Sequence, residues 1–153
     1  MIDDFLRIAE ELARRDSGAP QYASLRRAVS TAYYALFHAI LERFAASLIS
    51  PDGGDAESYS LVYRTLDHAT LKRVFEQDAS GAVLGAGVAK IGNVFLHLQT
   101  ARIMADYDPS EFPFGISQVL ELVGQARESS QAMRDLPRGE VLRLAARLIA
   151  KRR

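Results

Sequence analysis

Cysteine is absent from the 153-residue chain, which excludes disulfides, cysteine-ligated zinc sites and a cysteine nucleophile. The chain also carries no net charge, because its 19 basic residues balance its 19 acidic residues. No global field therefore draws the protein to nucleic acid, and any such contact must come from a local patch. Apolar runs of membrane length and a signal peptide are missing too, so we expect a cytoplasmic protein that does not enter the membrane.

Histidine is scarce as well, since the chain has only His38, His68 and His97. They fall on three different predicted helices, without the spacing that metal-binding helices use. The glycine-rich stretch "SGAVLGAG", residues 80–87, lacks the lysine of a phosphate-binding loop, and no strand precedes it. We therefore predict neither a metal site nor a cofactor.

Apolar residues recur at helical spacing along almost the whole chain, and no convincing alternating strand is present. Breaks such as "DSGAP", "SPDGGDAES", "DPSEFP" and "LPRGE" separate the helical segments. The pattern predicts one all-α domain over residues 1–153. Its predicted helices cover about 2–15, 21–48, 57–77, 86–107, 113–134 and 139–151.

The stretch "HLQTARIMADYDPS", residues 97–110, puts an arginine on the apolar side of a predicted helix. At 100° per residue, Arg102 continues the apolar stripe, and Gln99 and Asp106 flank it. A buried guanidinium without a partner is very costly, and Asp106, four residues later, is placed to pair with it. Arg102 is therefore either half of a structural ion pair or a ligand for a phosphate or a partner's carboxylate.

The second predicted helix carries an unusual face opposite its core stripe. Arg27, Tyr34 and His38 line that face, and Phe37 and Leu41 edge it with apolar surface. This mixture is typical of an interface or a binding site. The alternative is a rim of half-buried side chains beneath a neighbouring helix.

Two stretches together resemble the HEPN family of helical bundles. They are "LRRAVSTAYYALFHAILERF", with Tyr33, Tyr34, Phe37 and His38, and "ARIMADYDP", with Arg102, Ala105, Asp106 and Tyr107. "LDHATLKRVF", residues 66–75, is similar to the segment that separates them in the family. The resemblance covers about residues 5–135.

The resemblance implies a four- to five-helix bundle that forms a homodimer, here with an extra basic, amphipathic helix over about 139–153. Catalytic members bring an arginine and a following histidine together at the dimer interface and cleave RNA without a metal. Other members bind nucleotides or pair with nucleotidyltransferase-like antitoxins. By this resemblance the catalytic candidates are Arg102, Asp106 and Tyr107. The candidates for the binding cleft are Arg27, Tyr34, His38, Gln99 and Arg102.

The chain departs from the catalytic pattern after Arg102, where Tyr107 stands in the place of the histidine. Tyrosine is a poor base at neutral pH. We therefore predict a HEPN-like dimer of a toxin–antitoxin or defence system that binds RNA or a nucleotide around Arg102. Its metal-independent ribonuclease activity is predicted to be weak or absent, and the sequence leaves its status as an enzyme open. The alternative is a non-catalytic helical module for protein interaction or regulation.

Overall fold

The computed structural model describes residues 1–15, 22–50, 55–110 and 112–150. These residues form seven helices and no strand, which confirms the predicted all-α bundle. Within the described part of the chain, no helix is both long and apolar enough to cross a membrane. The helices are α1 (Ile2–Arg14), α2 (Tyr22–Leu48), α3 (Ala56–Tyr63), α4 (His68–Gln77), α5 (Ala86–Tyr107), α6 (Ile116–Asp135) and α7 (Arg138–Ile149).

The long helix α2 is the centre of the bundle and packs against α1, α3, α5, α6 and α7. It buries 15 of its 27 residues, so burial extends well beyond one stripe. The prediction that Phe37 and Leu41 edge an exposed face is therefore wrong, because both side chains are buried. A helix enclosed on several sides carries apolar residues around most of its circumference, which is why the predicted face looked like an interface.

The predicted helix over residues 57–77 is two helices, α3 and α4. A new helix starts after Asp67 because the Asp67 carboxylate accepts a hydrogen bond of 2.7 Å from the backbone N–H of Thr70, at the start of α4. An aspartate in this position satisfies an amide that has no partner within the helix, and so favours a new helix start. Asp55 caps α3 in the same way, through the backbone N–H of Ser58 at 2.9 Å. The turn between the helices brings His68 to the first position of α4.

The C-terminal helix α7 belongs to the core. It buries Val141, Leu144, Ala145 and Leu148 against the rest of the bundle. The buried core therefore runs from Ile2 to Leu148, beyond the range of about 5–135 that the family resemblance covers. Residues 151–153, predicted as part of this basic helix, lie outside the described residues.

Candidate functional site

The site around Arg102 forms where α2 and α5 run antiparallel. Arg102 meets Tyr34 of α2, and Asp106, one turn further along α5, meets Ser30, one turn earlier on α2. Arg102 and Asp106 are neighbours on α5 because residues four apart lie on the same face of a helix. These two contacts, Arg102 with Tyr34 and Asp106 with Ser30, fix the register of α5 against α2.

The predicted ion pair between Arg102 and Asp106 is present. Nε of Arg102 lies 2.7 Å from Oδ2 of Asp106, and the two side chains are 16% and 19% exposed. The Nε–H group itself is buried without a hydrogen bond to any described residue, so this contact is a close approach of charges that lacks hydrogen-bond alignment. The Asp106 carboxylate also accepts a hydrogen bond from the Ser30 hydroxyl. Asp106 is thus held from both α2 and α5.

Tyrosine rings surround the guanidinium of Arg102. Its central carbon lies 5.8, 5.5 and 5.3 Å from the ring centroids of Tyr33, Tyr34 and Tyr107, which is within cation–π range. Nη2 donates to the Tyr34 hydroxyl at 3.0 Å, and a longer contact of 3.5 Å reaches the Tyr107 hydroxyl. Burial acts to lower the pKa of Arg102, but Tyr34, Asp106, Tyr107 and Tyr33 together raise it above its ordinary value. The arginine therefore keeps its positive charge.

His68 is a member of the cluster to which the sequence assigned no role. Its Nδ1 lies 2.6 Å from the Tyr33 hydroxyl, and its ring centroid lies 4.1 Å from that of Phe37. Burial and then the charge of Arg102 lower the pKa of His68, so the ring favours the neutral form. Burial raises the pKa of Tyr33, whose hydroxyl therefore stays protonated. A neutral histidine is thus held close to the arginine within one chain.

His38, which was predicted to line the same cleft as Tyr34, contacts aromatic residues and not Arg102. Its ring stacks on Tyr34 and on Phe5, with centroid distances of 6.3 and 5.6 Å. Its Nδ1 lies 2.6 Å from the hydroxyl of Tyr63, on α3. Burial lowers the pKa of His38. His38 therefore belongs to an aromatic layer behind Tyr34, and its place in a cleft between two subunits stays a prediction.

Gln99 and Arg27 were also predicted to line the cleft, and neither reaches Arg102. Gln99 is buried, and its Nε2 lies 3.5 Å from the carbonyl oxygen of His68, the first residue of α4. Arg27 is exposed, and among the described residues its side chain forms no hydrogen bond or ion pair. Gln99 therefore links α5 to the first residue of α4, beside the Arg102 cluster.

Arg26 is the basic residue of α2 that does contact the site's helix. Its guanidinium donates to four carbonyl oxygens at and beyond the end of α5, over distances of 2.7 to 3.0 Å. Those acceptors belong to Met104, Ala105, Asp108 and Ser110. Because the last carbonyls of a helix have no partner within it, Arg26 satisfies them and anchors the end that carries Tyr107. The adjacent arginines at 26 and 27 look equivalent in the sequence, and the helical rotation of 100° between them decides which one turns inward.

One nitrogen of the guanidinium, Nη1, has no hydrogen-bond partner among the described residues. Nη1 of Arg102 bonds to no described residue and is not among the buried atoms that lack a partner. Tyr107 is 69% exposed beside it. Among the described residues, no group of three or more histidine, aspartate or glutamate side chains is placed to hold a metal ion. The arrangement can hold an anion with a fixed, charged guanidinium and present an aromatic ring next to it.

Comparisons of the chain with models of known protein families, with curated proteins and with solved structures found no match. The resemblance to the HEPN family therefore depends on the sequence motifs described above.

Proposed function

We propose that this protein is a HEPN-like homodimer of a toxin–antitoxin or defence system that binds RNA or a nucleotide through Arg102. Its metal-independent ribonuclease activity is weak or absent, and a nucleotidyltransferase-like antitoxin is its expected partner. The observation that carries the proposal is the charged guanidinium of Arg102, fixed between α2 and α5 with Nη1 left open.

The surroundings of Arg102 favour a ligand that combines a phosphate with a base. A fixed guanidinium suits phosphate because its planar donors match the phosphate oxygens and little side-chain entropy remains to be lost. The exposed ring of Tyr107 offers a surface on which a base can stack. Arg27, exposed on α2, adds a cation without a partner among the described residues.

Two features argue against efficient cleavage. Asp106 offsets the charge that would otherwise stabilise a phosphorane, since it lies 2.7 Å from Nε of Arg102. The one histidine near the arginine, His68, has its Nδ1 engaged by Tyr33, and burial disfavours its protonated form. A histidine held in this way is poorly placed to shuttle a proton.

The test measures binding and cleavage of labelled RNA in the presence of a metal chelator. We expect the wild-type protein to bind RNA and cut it slowly or not at all, and Arg102→Ala to weaken binding by at least about tenfold. Arg127→Ala is the matched control, because Arg127 is also an arginine paired with an acid, Glu10, but is remote from the cluster. Equal RNA binding by the wild-type protein and Arg102→Ala would contradict the proposal that Arg102 binds RNA. Rapid cleavage that needs both Arg102 and His68 would overturn the claim of weak activity.

The alternative, a protein-interaction module, has one observation in its favour. Ile103 and Tyr107 are neighbours on α5 with 47% and 69% of their surfaces exposed, and together they form a small apolar patch beside Arg102. This alternative predicts that Ile103→Ser disrupts a protein complex and leaves RNA affinity unchanged. Light scattering on the purified chain tests the homodimer directly, and a monomer at micromolar concentration contradicts it.

A further inference from the structure

A cavity of about 580 Å³ lies away from the Arg102 cluster, between the start of α1, the last third of α2, α3 and the end of α6. Its volume is within the range of sites that hold small molecules. Tyr59, Ser60 and Tyr63 of α3 line it, together with Arg64, which directly follows α3. Since α3 buries none of its residues completely, its side chains are available to line a cavity.

Two tyrosine rings and one carboxylate meet in this cavity. Tyr59 and Tyr63 are one turn apart on α3, with ring centroids separated by 6.2 Å. Glu42 of α2 lines the same cavity as both rings. Burial and then the charge of Glu42 raise the pKa of each tyrosine hydroxyl. Tyrosine faces attract cations, and a carboxylate beside them adds a direct ionic partner.

That carboxylate has no ion-pair partner in the part of the chain that the structure describes. Asp3 and Arg134 pair with each other at 3.1 Å, and the amino group of Met1 pairs with Asp4 at 3.1 Å. Glu42 forms no ion pair with a described residue, and neither does Arg64. The cavity therefore combines an anionic, aromatic part at Glu42 with the guanidinium of Arg64, which pairs with no acid in the described ranges.

We propose that this cavity binds a small guanidino compound, whose guanidinium lies between Glu42 and the rings of Tyr59 and Tyr63. A planar guanidinium stacks on aromatic faces and matches the two oxygens of a carboxylate, which a compact ammonium does less well. Arg64 is the partner for a carboxylate at the other end of such a ligand. The cavity and its ligand are independent of the RNA or nucleotide proposed for Arg102.

Agmatine and arginine are the probes, because they share a guanidinium and differ by the carboxylate of arginine. Isothermal titration calorimetry should show binding, and Glu42→Gln and Tyr59→Ala should each weaken it by at least about tenfold. As a control, Glu57→Gln removes an exposed carboxylate from α3 and should leave binding unchanged. Tyr63 is not substituted, because its hydroxyl is bonded to His38.

Tighter binding of arginine than of agmatine, lost in Arg64→Ala, supports a ligand with both charges. Equal binding of the two supports recognition of the guanidinium alone. In the wild-type protein, agmatine should shift the NMR signals of the Tyr59 ring and leave those of Tyr107 in place. No binding of either probe, or binding that survives Glu42→Gln, overturns the proposal.

Discussion

Arg102 keeps a full charge although five-sixths of its side chain is covered. Three tyrosine rings, one hydroxyl and one carboxylate offset the loss of water around it. Arg102 attracts an anion only through the part of its positive charge that Asp106 does not neutralise. The balance between these two residues therefore decides what the site does.

Replacing Asp106 with asparagine tests this balance. Asp106→Asn removes the competing charge and keeps a side chain that can accept the hydrogen bond from Ser30. We expect affinity for short RNA to rise several-fold, up to about tenfold. Stability should fall by about 1–3 kcal/mol, because the mostly buried Arg102 guanidinium loses its charged partner. Fluorescence anisotropy and urea unfolding measure the two effects.

Asp108→Asn is the control for the overall gain of positive charge, because Asp108 bonds to Ser110 and not to Arg102. If both variants bind RNA equally, the gain is non-specific. If Asp106→Asn binds more weakly than wild type, then Asp106 positions the arginine and does not compete with the ligand.

The partly buried histidines His38 and His68 make stability depend on pH. Burial lowers the pKa of His38, and burial together with Arg102 lowers that of His68. In the unfolded chain both titrate near ~6.5, so below this pH the unfolded state binds more protons than the folded state. We therefore expect Tm to be constant above pH ~7.5 and to decrease as the pH falls from ~6.5 to ~5.5.

Differential scanning calorimetry across this range tests the pH dependence. His68→Gln should flatten the slope, whereas His97→Gln should keep it, because His97 is exposed. A Tm that is the same at both ends of the range contradicts the assignment. Carboxylates such as Asp67, whose pKa is lowered by the cap bonds to Thr70, lose their contribution only at more acidic pH.

At the scale of the helices, a close approach joins α5 to α4. A Cβ added to Gly92 would lie 2.6 Å from Cδ1 of Phe75, a buried ring of α4. Glycine therefore lets the two helices approach more closely than alanine would allow. By contrast, a Cβ on Gly124 of α6 would meet nothing within 4 Å.

These two glycines predict opposite effects of the same substitution. Gly92→Ala should destabilise the protein by about 1–3 kcal/mol, because Phe75 must move in a packed core. Gly124→Ala should stabilise it by up to about 1 kcal/mol, because alanine favours the helix. Urea unfolding monitored by circular dichroism compares them. Similar changes in both variants would contradict the close contact between α4 and α5.

Local patterns predicted most of the helices and part of the site. The ends of α2 and α5 agree with the predicted ranges to within one residue, because periodicity and polar breaks are local signals. The pair of Arg102 and Asp106 was predictable for the same reason, since four residues is one helical turn. The break before α4 was missed because apolar spacing continues through it, although Asp67 followed by Thr70 is a capping signal.

The rest of the site depends on how distant helices dock. His68 reaches Tyr33 only because α4 packs beside α2, and no spacing along the chain indicates that contact. Arg26 rather than Arg27 anchors α5 because of the rotation of α2 in the bundle. The contacts of His38 with Tyr63 and of Gln99 with the carbonyl of His68 likewise depend on how α3 and α4 pack, which helix faces alone do not indicate.

At the scale of the whole molecule, α7 is an integral part of the hydrophobic core. Leu144 of α7 is buried, while Leu142, two residues earlier, is 39% exposed. We expect Leu144→Ala to cost about 2–5 kcal/mol of unfolding free energy, through lost burial and a residual cavity. Leu142→Ala should change it by no more than about 0.5 kcal/mol. Equal effects in urea unfolding would show that α7 is a detachable appendage.

The central position of α2 has a consequence for biosynthesis. The ribosome finishes α2 at Leu48, but the helices that cover it from the C-terminal side, α5, α6 and α7, end only at Ile149. At ~5–20 residues per second, the roughly one hundred intervening residues take about 5–20 s to make. During that interval the nascent chain displays the aromatic and aliphatic surface of α2 without its cover, so chaperone occupancy should peak before α7 emerges and fall once it docks.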